Sequence, residues 1–325
     1  IKNLDYAYEI TKYHITNAQY AEFLIDVHQQ NLISVVWISG IYGYGFVRGA
    51  FHGHGVNAPI LQEDCEYSYE TTYEQNYPEY DFGGDSNSNC ENGYDWYKIS
   101  SPETTGAGHV RFNGTTFVVE AGFGNHPVQN LTIRGAMAYA HYYGLRLPTK
   151  EEIIKAGNGM EIWDYAWGET PNESSSDSEL KKYMNYTSGG FHNPWGSSAD
   201  NYRSRETTPV GYFNGTTYFY PDGFNDSSYG DGETLYEVVT ENAVSPYGLY
   251  DINGNVRDLT STFITTGGSQ NRYMTFGGSG WEGKSSARSR FLGSVDNWGS
   301  YGSSFGYGTT ESGFRCVRTI NLTND

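Results

Sequence analysis

An α+β fold with little regular secondary structure is predicted for this chain, on three observations. Helix-start signals are few and early. Strand-like runs are many and short. Glycine and tyrosine punctuate the whole length, with 41 Gly and 30 Tyr among 325 residues. Aromatic residues make up 16% of the chain, too many for a disordered acidic polymer. The length suffices to bury a sizeable core. Two main helices among many short strands is the pattern of an α+β domain.

Taken in order, "YAYEITKYHI" at residues 6–15 alternates well enough for a strand. Thr16-Asn17-Ala18-Gln19 then reads as a capping box, in which Thr16 caps and Gln19 reaches back. The helix it opens is predicted to run to about His28, with Tyr20, Leu24 and Val27 on one face. Residues 35–125 are rich in Gly and Tyr and carry short strands such as "HVRF" and "TFVVEAG". The part at about 41–108 reads as an insert within one domain spanning 1–325. A second helix is predicted from about Thr132, with Met137, Ala140 and Tyr143 toward the core and Gly144 ending it. Thr149-Lys150-Glu151-Glu152 is a second capping box, opening a short helix that ends near Gly157. Beyond it the sequence predicts almost no helix, and "SGFRCVRTI" (312–320) reads as one buried strand. No internal repeat is visible.

The net charge is -18. Phosphate backbones and anionic lipid headgroups need clustered Lys and Arg, so nucleic acid and membrane surfaces are unfavourable partners. No apolar run reaches the roughly 20 residues that span a bilayer, so no membrane insertion is expected. The chain begins at Ile1 without a visible signal peptide, which reads as an end left by processing or as a start chosen for expression. Of three cysteines, Cys65 and Cys90 lie in one Tyr- and Asn-rich region and Cys316 in a strand-like run. One disulfide, Cys65 to Cys90, with Cys316 as a buried thiol is one arrangement; three free thiols is the other. Seven Asn-x-Ser/Thr sequons occur, at Asn113, Asn130, Asn172, Asn185, Asn214, Asn225 and Asn321, against roughly four expected by chance in so Asn-, Ser- and Thr-rich a chain. Together with the acidic surface and the candidate disulfide they favour an extracellular, cell-surface place.

"GLYDINGNVRDL" (248–259) threads Asp251, Asn253, Asn255 and Asp258 through the apolar frame of Leu249, Tyr250, Ile252, Val256 and Leu259. Such a stretch is either a cation loop, in which a Gly-bearing turn supplies alternate carbonyls and carboxylates, or an Asx-rich turn whose side chains bind backbone.

Several segments, in this order, resemble the sulfatase-modifying-factor domain, the fold of the formylglycine-generating enzyme within the wider C-type-lectin-like group. They are "YEITKYHITNAQYAEFL" (8–24), "HPVQNLTIRGAMAYAHYYGLRLPTKEEIIKA" (126–156), "WGE" (167–169), "TTPVGYF" (207–213), "SPYGLYDINGNVRDL" (245–259), "FGGSGW" (276–281) and "SGFRCVR" (312–318). The resemblance implies that fold from nearly end to end. It implies a structural calcium ion held by a side-chain oxygen of Asp251, the carbonyls of Gly254 and Val256, and the carboxylate of Asp258. Here "NVRDL" stands where the family has "NVWEW", so the carboxylate arm is one methylene shorter. A second calcium set would be Asn185, Tyr186, Asp200 and Tyr202, although Asn185 also begins a sequon.

The generating enzyme works with two cysteines that hold copper, a pairing suited to soft thiolates. The resemblance places them just after "GGS" and a few residues later. The corresponding stretch, "GGSGWEGKSSARSR" (277–290), contains no cysteine, and Cys316 matches a core position. No formylglycine-generating activity and no copper are therefore expected. Relatives that use iron carry an extra helical domain for which the chain has no room. The His52-x-His54 pair lacks a third ligand. "DSNSN" (85–89) imitates the start of an EF-hand but has Cys90 and Trp96 where that loop needs Gly and Glu. No nucleophile elbow, phosphate loop or zinc helix is present.

What remains is a surface. Trp281, Phe291, Trp298, Tyr301, Phe305 and Tyr307 sit among Gly, Ser, Asp and Asn in residues 280–310, with Arg288 and Arg290 nearby. Large rigid aromatics beside small polar residues form the palette of binding loops; the alternative is a loop-rich lid whose aromatics are buried. Trp281, Arg288, Arg290, Trp298, Tyr301 and Tyr307 are the candidate ligand contacts. Three functions fit: a non-catalytic extracellular protein that binds a protein or glycan or assembles with copies of itself, as in a surface layer or filament; a diversified ligand-binding protein of a virus or phage; and a divergent metal-dependent oxidoreductase.

Overall fold

Three helices are set by the local signals at their starts. The computed structural model describes residues 4–37, 44–49, 51–52, 60–61, 94–100, 108–160, 163–168, 177–186, 194–195, 206–221, 235–266, 270–281, 292–296 and 311–320. Helix α1 spans Asn17–Gln29, and both halves of its capping box form: the Gln19 N–H donates to Thr16 Oγ1, and the Thr16 N–H donates to Gln19 Oε1. Helix α2 spans Ile133–Tyr142 behind Thr132, whose hydroxyl accepts from the Gly135 N–H. Helix α3 spans Lys150–Asn158 behind the second capping box, Thr149 with Glu152. Each box satisfies backbone donors that a bare helix end leaves orphaned. A single helical turn, Asp177–Leu180, is the one further α-helical element among the described residues.

The buried face of α1 holds Tyr20, Leu24 and Val27 as the periodicity predicts, with Phe23 beside them. The face of α2 is rotated from the expected one. Ala136, Tyr139 and Ala140 are buried, Met137 only partly, and Tyr143 is exposed. The helix lies against the strand Tyr94–Ser100, and Tyr139 meets Tyr20 and Phe23 of α1 at ring-centroid distances of 5.8 and 5.4 Å. Phe314 packs on the same Tyr139, at 5.3 Å, so the helix pair and the end of the chain share one aromatic cluster. Full burial of a ring of this size stabilises by about 2–3 kcal/mol.

The strands are short, as expected. The run at 6–15 narrows to Ala7–Ile10. The final segment departs most from its sequence reading. "SGFRCVRTI" breaks into Ser312–Phe314 and Val317–Ile320. The first piece runs parallel to Arg257–Leu259, and the second pairs antiparallel with Ala7–Ile10, Tyr8 opposite Thr319. The chain changes sheets at Arg315, whose whole side chain turns inward and is fully buried. The parallel partner belongs to a four-stranded sheet, ordered Leu292–Asp296, Gln270–Phe276, Arg257–Thr266, Ser312–Phe314.

Within the predicted insert, Tyr44–Gly49 pairs with both Ile33–Trp37 and Tyr94–Ser100, and the last of these lies against α2. Cys65, Cys90 and His54 fall outside the described residues. Cys316 is a buried free thiol. No described helix is long and apolar enough to cross a membrane.

Two glycines are fixed by close backbone approach. At Gly277 a Cβ would fall on the Ile252 carbonyl oxygen, and at Gly254 on the Asn185 carbonyl oxygen; both have positive φ, 91° and 76°. Gly277→Ala is expected to destabilise the protein by about 3 kcal/mol, through backbone strain and forced displacement of the 252 peptide. Urea unfolding should show that loss as a lower midpoint with an unchanged slope.

Candidate functional site

The loop at 248–259 is built from residues that tolerate left-handed backbone. Asp251, Gly254 and Asn255 have φ of 56°, 76° and 60°, a region open to Gly and, among other residues, chiefly to Asn and Asp. Its apolar frame faces the core, where Leu249, Ile252, Val256 and Leu259 are buried. Its polar side chains turn to neighbouring backbone. Asp251 Oδ2 accepts from the Gly211 N–H at 2.6 Å. Asn253 Oδ1 accepts from the Ala166 N–H at 2.8 Å. Asn255 binds Thr208 twice, accepting from its N–H at 3.0 Å and donating to its carbonyl at 3.1 Å. Three side chains at alternate positions thus tie down two separate segments, one at Ala166 and one at Thr208–Gly211. Backbone completes the clasp. The Gly254 N–H donates to Gly277 O, the Asn255 N–H to Asn185 O, and the Gly280 N–H to Asn255 O, at 2.8–2.9 Å.

Asp258 closes the loop from the strand side and is itself fully buried. Arg315 Nε donates to both its oxygens, at 3.1 and 3.2 Å. His14 Nε2 faces Asp258 Oδ1 at 3.1 Å. The guanidinium also donates to the carbonyls of Lys12, at 2.7 Å, and Tyr250, and its Nη2 lies 3.2 Å from His14 Nδ1. Burial alone would raise the Asp258 carboxyl, but the charges and hydrogen bonds of Arg315 and His14 outweigh it and hold the group below the usual carboxylate range. Asp251 goes the other way. Burial raises it, Asp258 adds to the rise, and the Gly211 N–H, His14 and Arg315 only partly oppose.

The expected calcium ligands can be tested against this geometry. Asp251, Gly254, Val256 and Asp258 do lie together on one loop. The carboxylate of Asp258, however, is taken by a guanidinium and an imidazole, and a dication beside Arg315 would meet like charge. Asp251 offers one oxygen without a hydrogen-bond partner. With Asp258 engaged, that oxygen and the Gly254 and Val256 carbonyls together fall short of the roughly six to eight oxygens calcium takes, so the set as it stands does not fit. In the second set Asn185 is fully buried, donates to Glu206 O at 2.6 Å, and leaves Oδ1 without a hydrogen-bond partner. That oxygen fits a cation ligand. Tyr186 is buried beside it in sequence, while Asp200 and Tyr202 lie outside the described residues. Among the described residues no three His, Cys, Asp or Glu side chains converge as a metal cluster.

The 206–208 segment leads to a second polar cluster. His109 Nδ1 lies 3.2 Å from Glu120 Oε2, and its Nε2 lies 3.2 Å from Glu206 Oε1. Arg111 also binds Glu120, at 2.7 Å. The His109 ring stacks on Phe123 at 3.6 Å and stands 6.5 Å from the His126 ring. Burial pulls the His109 pKa down, but hydrogen bonds to two carboxylates and their charges more than reverse this, to about 9. The neighbouring His126 is driven well below the ordinary value by burial and by the charge of His109.

Other predicted positions are corrected or located as follows. Asn130 and Asn185 are buried, so neither has room for a glycan; the Asn185 amide nitrogen is already bound to Glu206 O. Asn113 and Asn214 are exposed. Both stand in Asn-Gly-Thr-Thr turns, their Oδ1 atoms accepting from the N–H of Thr115 and Thr116 and of Thr216. Asn172, Asn225 and Asn321 lie outside the described residues, as do Arg288, Arg290, Trp298, Tyr301 and Tyr307. Trp281 is exposed at the edge of the 277–280 turn that clasps the loop. Sequence reasoning did not find His14, Arg315, or the His109, Glu120 and Glu206 cluster. His14, Arg315 and Glu206 join segments remote in the chain, and His109 faces Glu120 across a hairpin, so no local spacing announces them.

A protein-family model described as the sulfatase-modifying factor enzyme 1-like domain matches residues 3–320. Among solved structures, CarF is similar at 14% identity, with 97% of this chain and 87% of that chain covered and a TM-score of 0.47. PvdO from Pseudomonas aeruginosa is similar at 13% identity, covering 61% of this chain and 63% of that chain, TM-score 0.39. Treponema denticola variable protein 1 is similar at 16% identity, covering 88% and 98%, TM-score 0.36. No curated protein matches.

The doubly bound His109 has a pH consequence. Its folded pKa is raised, so its contribution is fully present below the unfolded value near 6.5 and is lost as pH rises through about 9. The melting temperature is expected to fall between pH 7 and pH 10, and less steeply in His109→Gln. Parallel curves for the two proteins would show that His109 carries no such linkage.

Proposed function

Given that this chain belongs to the sulfatase-modifying factor enzyme 1-like family, matched over residues 3–320, we propose that it is a non-catalytic extracellular surface protein. It binds a protein or glycan, or copies of itself, through aromatic-rich loops carried on the family's lectin-like scaffold. The observation that carries this reading is the stretch 277–290. It follows the turn that clasps the 251–258 loop, and it holds no cysteine where the resemblance places the catalytic pair. A scaffold and its chemistry are separable, because function resides in particular side chains. Cys316 does not substitute: it is fully buried, burial pushes its thiol up, and a thiol held protonated is a poor metal ligand or nucleophile.

Recognition is supported by exposed Trp281 on a rigid base. The Gly277–Gly280 backbone is hydrogen bonded to the loop beneath it. An anchor fixed before binding loses little entropy on binding. Asn113 and Asn214 are the described sequons with space for glycans. A calcium ion held in part by Asn185 Oδ1 belongs to the same proposal. When bound it would supply structural cross-linking, with no reactive role.

A cysteine-oxidation assay on a thiol peptide, with copper supplied, is expected to show no turnover above a protein-free control, and metal analysis no stoichiometric copper. Turnover that copper restores would replace this reading with an oxidase. Mass spectrometry of native material should find glycans at Asn113 and Asn214; unmodified asparagine at both sites would contradict the surface assignment.

A further inference from the structure

We propose that Arg315 is the resident cation of the 251–258 loop, a built-in substitute for the calcium ion that the family resemblance places there. The argument is geometric. A bound calcium ion gathers oxygens from separate segments around one positive centre. Arg315 does this with its guanidinium. It binds both carboxylate oxygens of Asp258, the Tyr250 carbonyl at the start of the loop and the Lys12 carbonyl of the N-terminal segment, with His14 Nδ1 beside Nη2. Each of its three nitrogens has a partner on the loop, its strand or the N-terminal segment. Arg315 and the Asp258 side chain are fully buried, so the charge is compensated from within the chain.

The same contacts disqualify the loop as an ion site. Asp258, the carboxylate the resemblance would give to calcium, has both oxygens engaged. Asp251 spends Oδ2 on the Gly211 N–H. Asn253 and Asn255, the other side-chain oxygens of the loop, are bound to Ala166 and Thr208. A calcium ion could enter only by expelling Arg315, which would leave a guanidinium buried without its carboxylate.

The inference concerns this loop alone and is independent of the Asn185 set. It is tested by counting bound calcium with native mass spectrometry at millimolar calcium, on wild type and on Asp258→Asn. The substitution keeps the side chain's shape and removes the charge a calcium ion would need. Supporting outcomes are no bound ion in wild type, or one ion that Asp258→Asn retains. Two ions in wild type, or one ion that Asp258→Asn loses, would overturn it. The wild-type count needs no variant to fold. For the case of a single ion and an unfolded variant, hydrogen exchange on wild type supplies the second reading. Protection of the 256–259 amides is expected to be the same in calcium and in chelator, within twofold. A rise of tenfold or more with calcium would overturn the assignment. Zero ions would end the Asn185 calcium reading and leave Arg315 as the loop's cation.

Discussion

One buried cation organises the core of this molecule. Arg315 sits where the C-terminal segment leaves one sheet for another, and it binds the N-terminal segment, the 248–259 loop and the strand after it. Removing an ion from water costs several kcal/mol, recovered only when geometry and hydrogen bonding are close to complete. Here they are: one guanidinium N–H is shared between both carboxylate oxygens, and the guanidinium has acceptors on each side. Such a cluster adds little net stability over an apolar one of equal shape. Its contribution is directional, since apolar side chains would not hold the loop, the entering strand and the leaving strand in a single register.

That register positions the candidate site. The loop presents Asp251, Asn253 and Asn255 to Gly211, Ala166 and Thr208, and the 277–280 turn closes over it. Trp281 emerges from this turn. The family's domain is matched over residues 3–320, and the 277–290 stretch holds no cysteine, the observation on which the non-catalytic proposal rests. A rigid base under an exposed aromatic is what recognition requires, and it is also what an oxidase would need. The side chains carried on it decide between them.

Much of the fold was legible because it is written locally. Both capping boxes formed as read, because a Thr hydroxyl and an amide or carboxylate three residues on need nothing beyond their own turn. Of the expected α2 face Ala140 is buried, but Tyr143 is exposed and Met137 only partly covered, because Ala136 and Tyr139 take the core positions that the apolar pattern suggested for Met137 and Tyr143. The break in the last strand was missed because "SGFRCVRTI" keeps a strand-like pattern straight through Arg315. Only the partner segments reveal that its two halves belong to different sheets. At the loop the side chains were found, and two uses for them, a cation loop or an Asx-rich turn binding backbone, stayed open. The ligand types suit calcium by composition, while Arg315 and His14, more than fifty residues away in sequence, supply the competing cation and imidazole.

The most direct measurement of the central claim is a double-mutant cycle between Asp258 and Arg315, with Asp258→Asn, Arg315→Gln and the double variant unfolded in urea in the presence of chelator. The account gives a coupling of about 2–4 kcal/mol between the two positions, each single change leaving a buried group without its partner. A coupling below about 0.5 kcal/mol, with each variant as stable as wild type, would mean that the pair does not hold the three segments together.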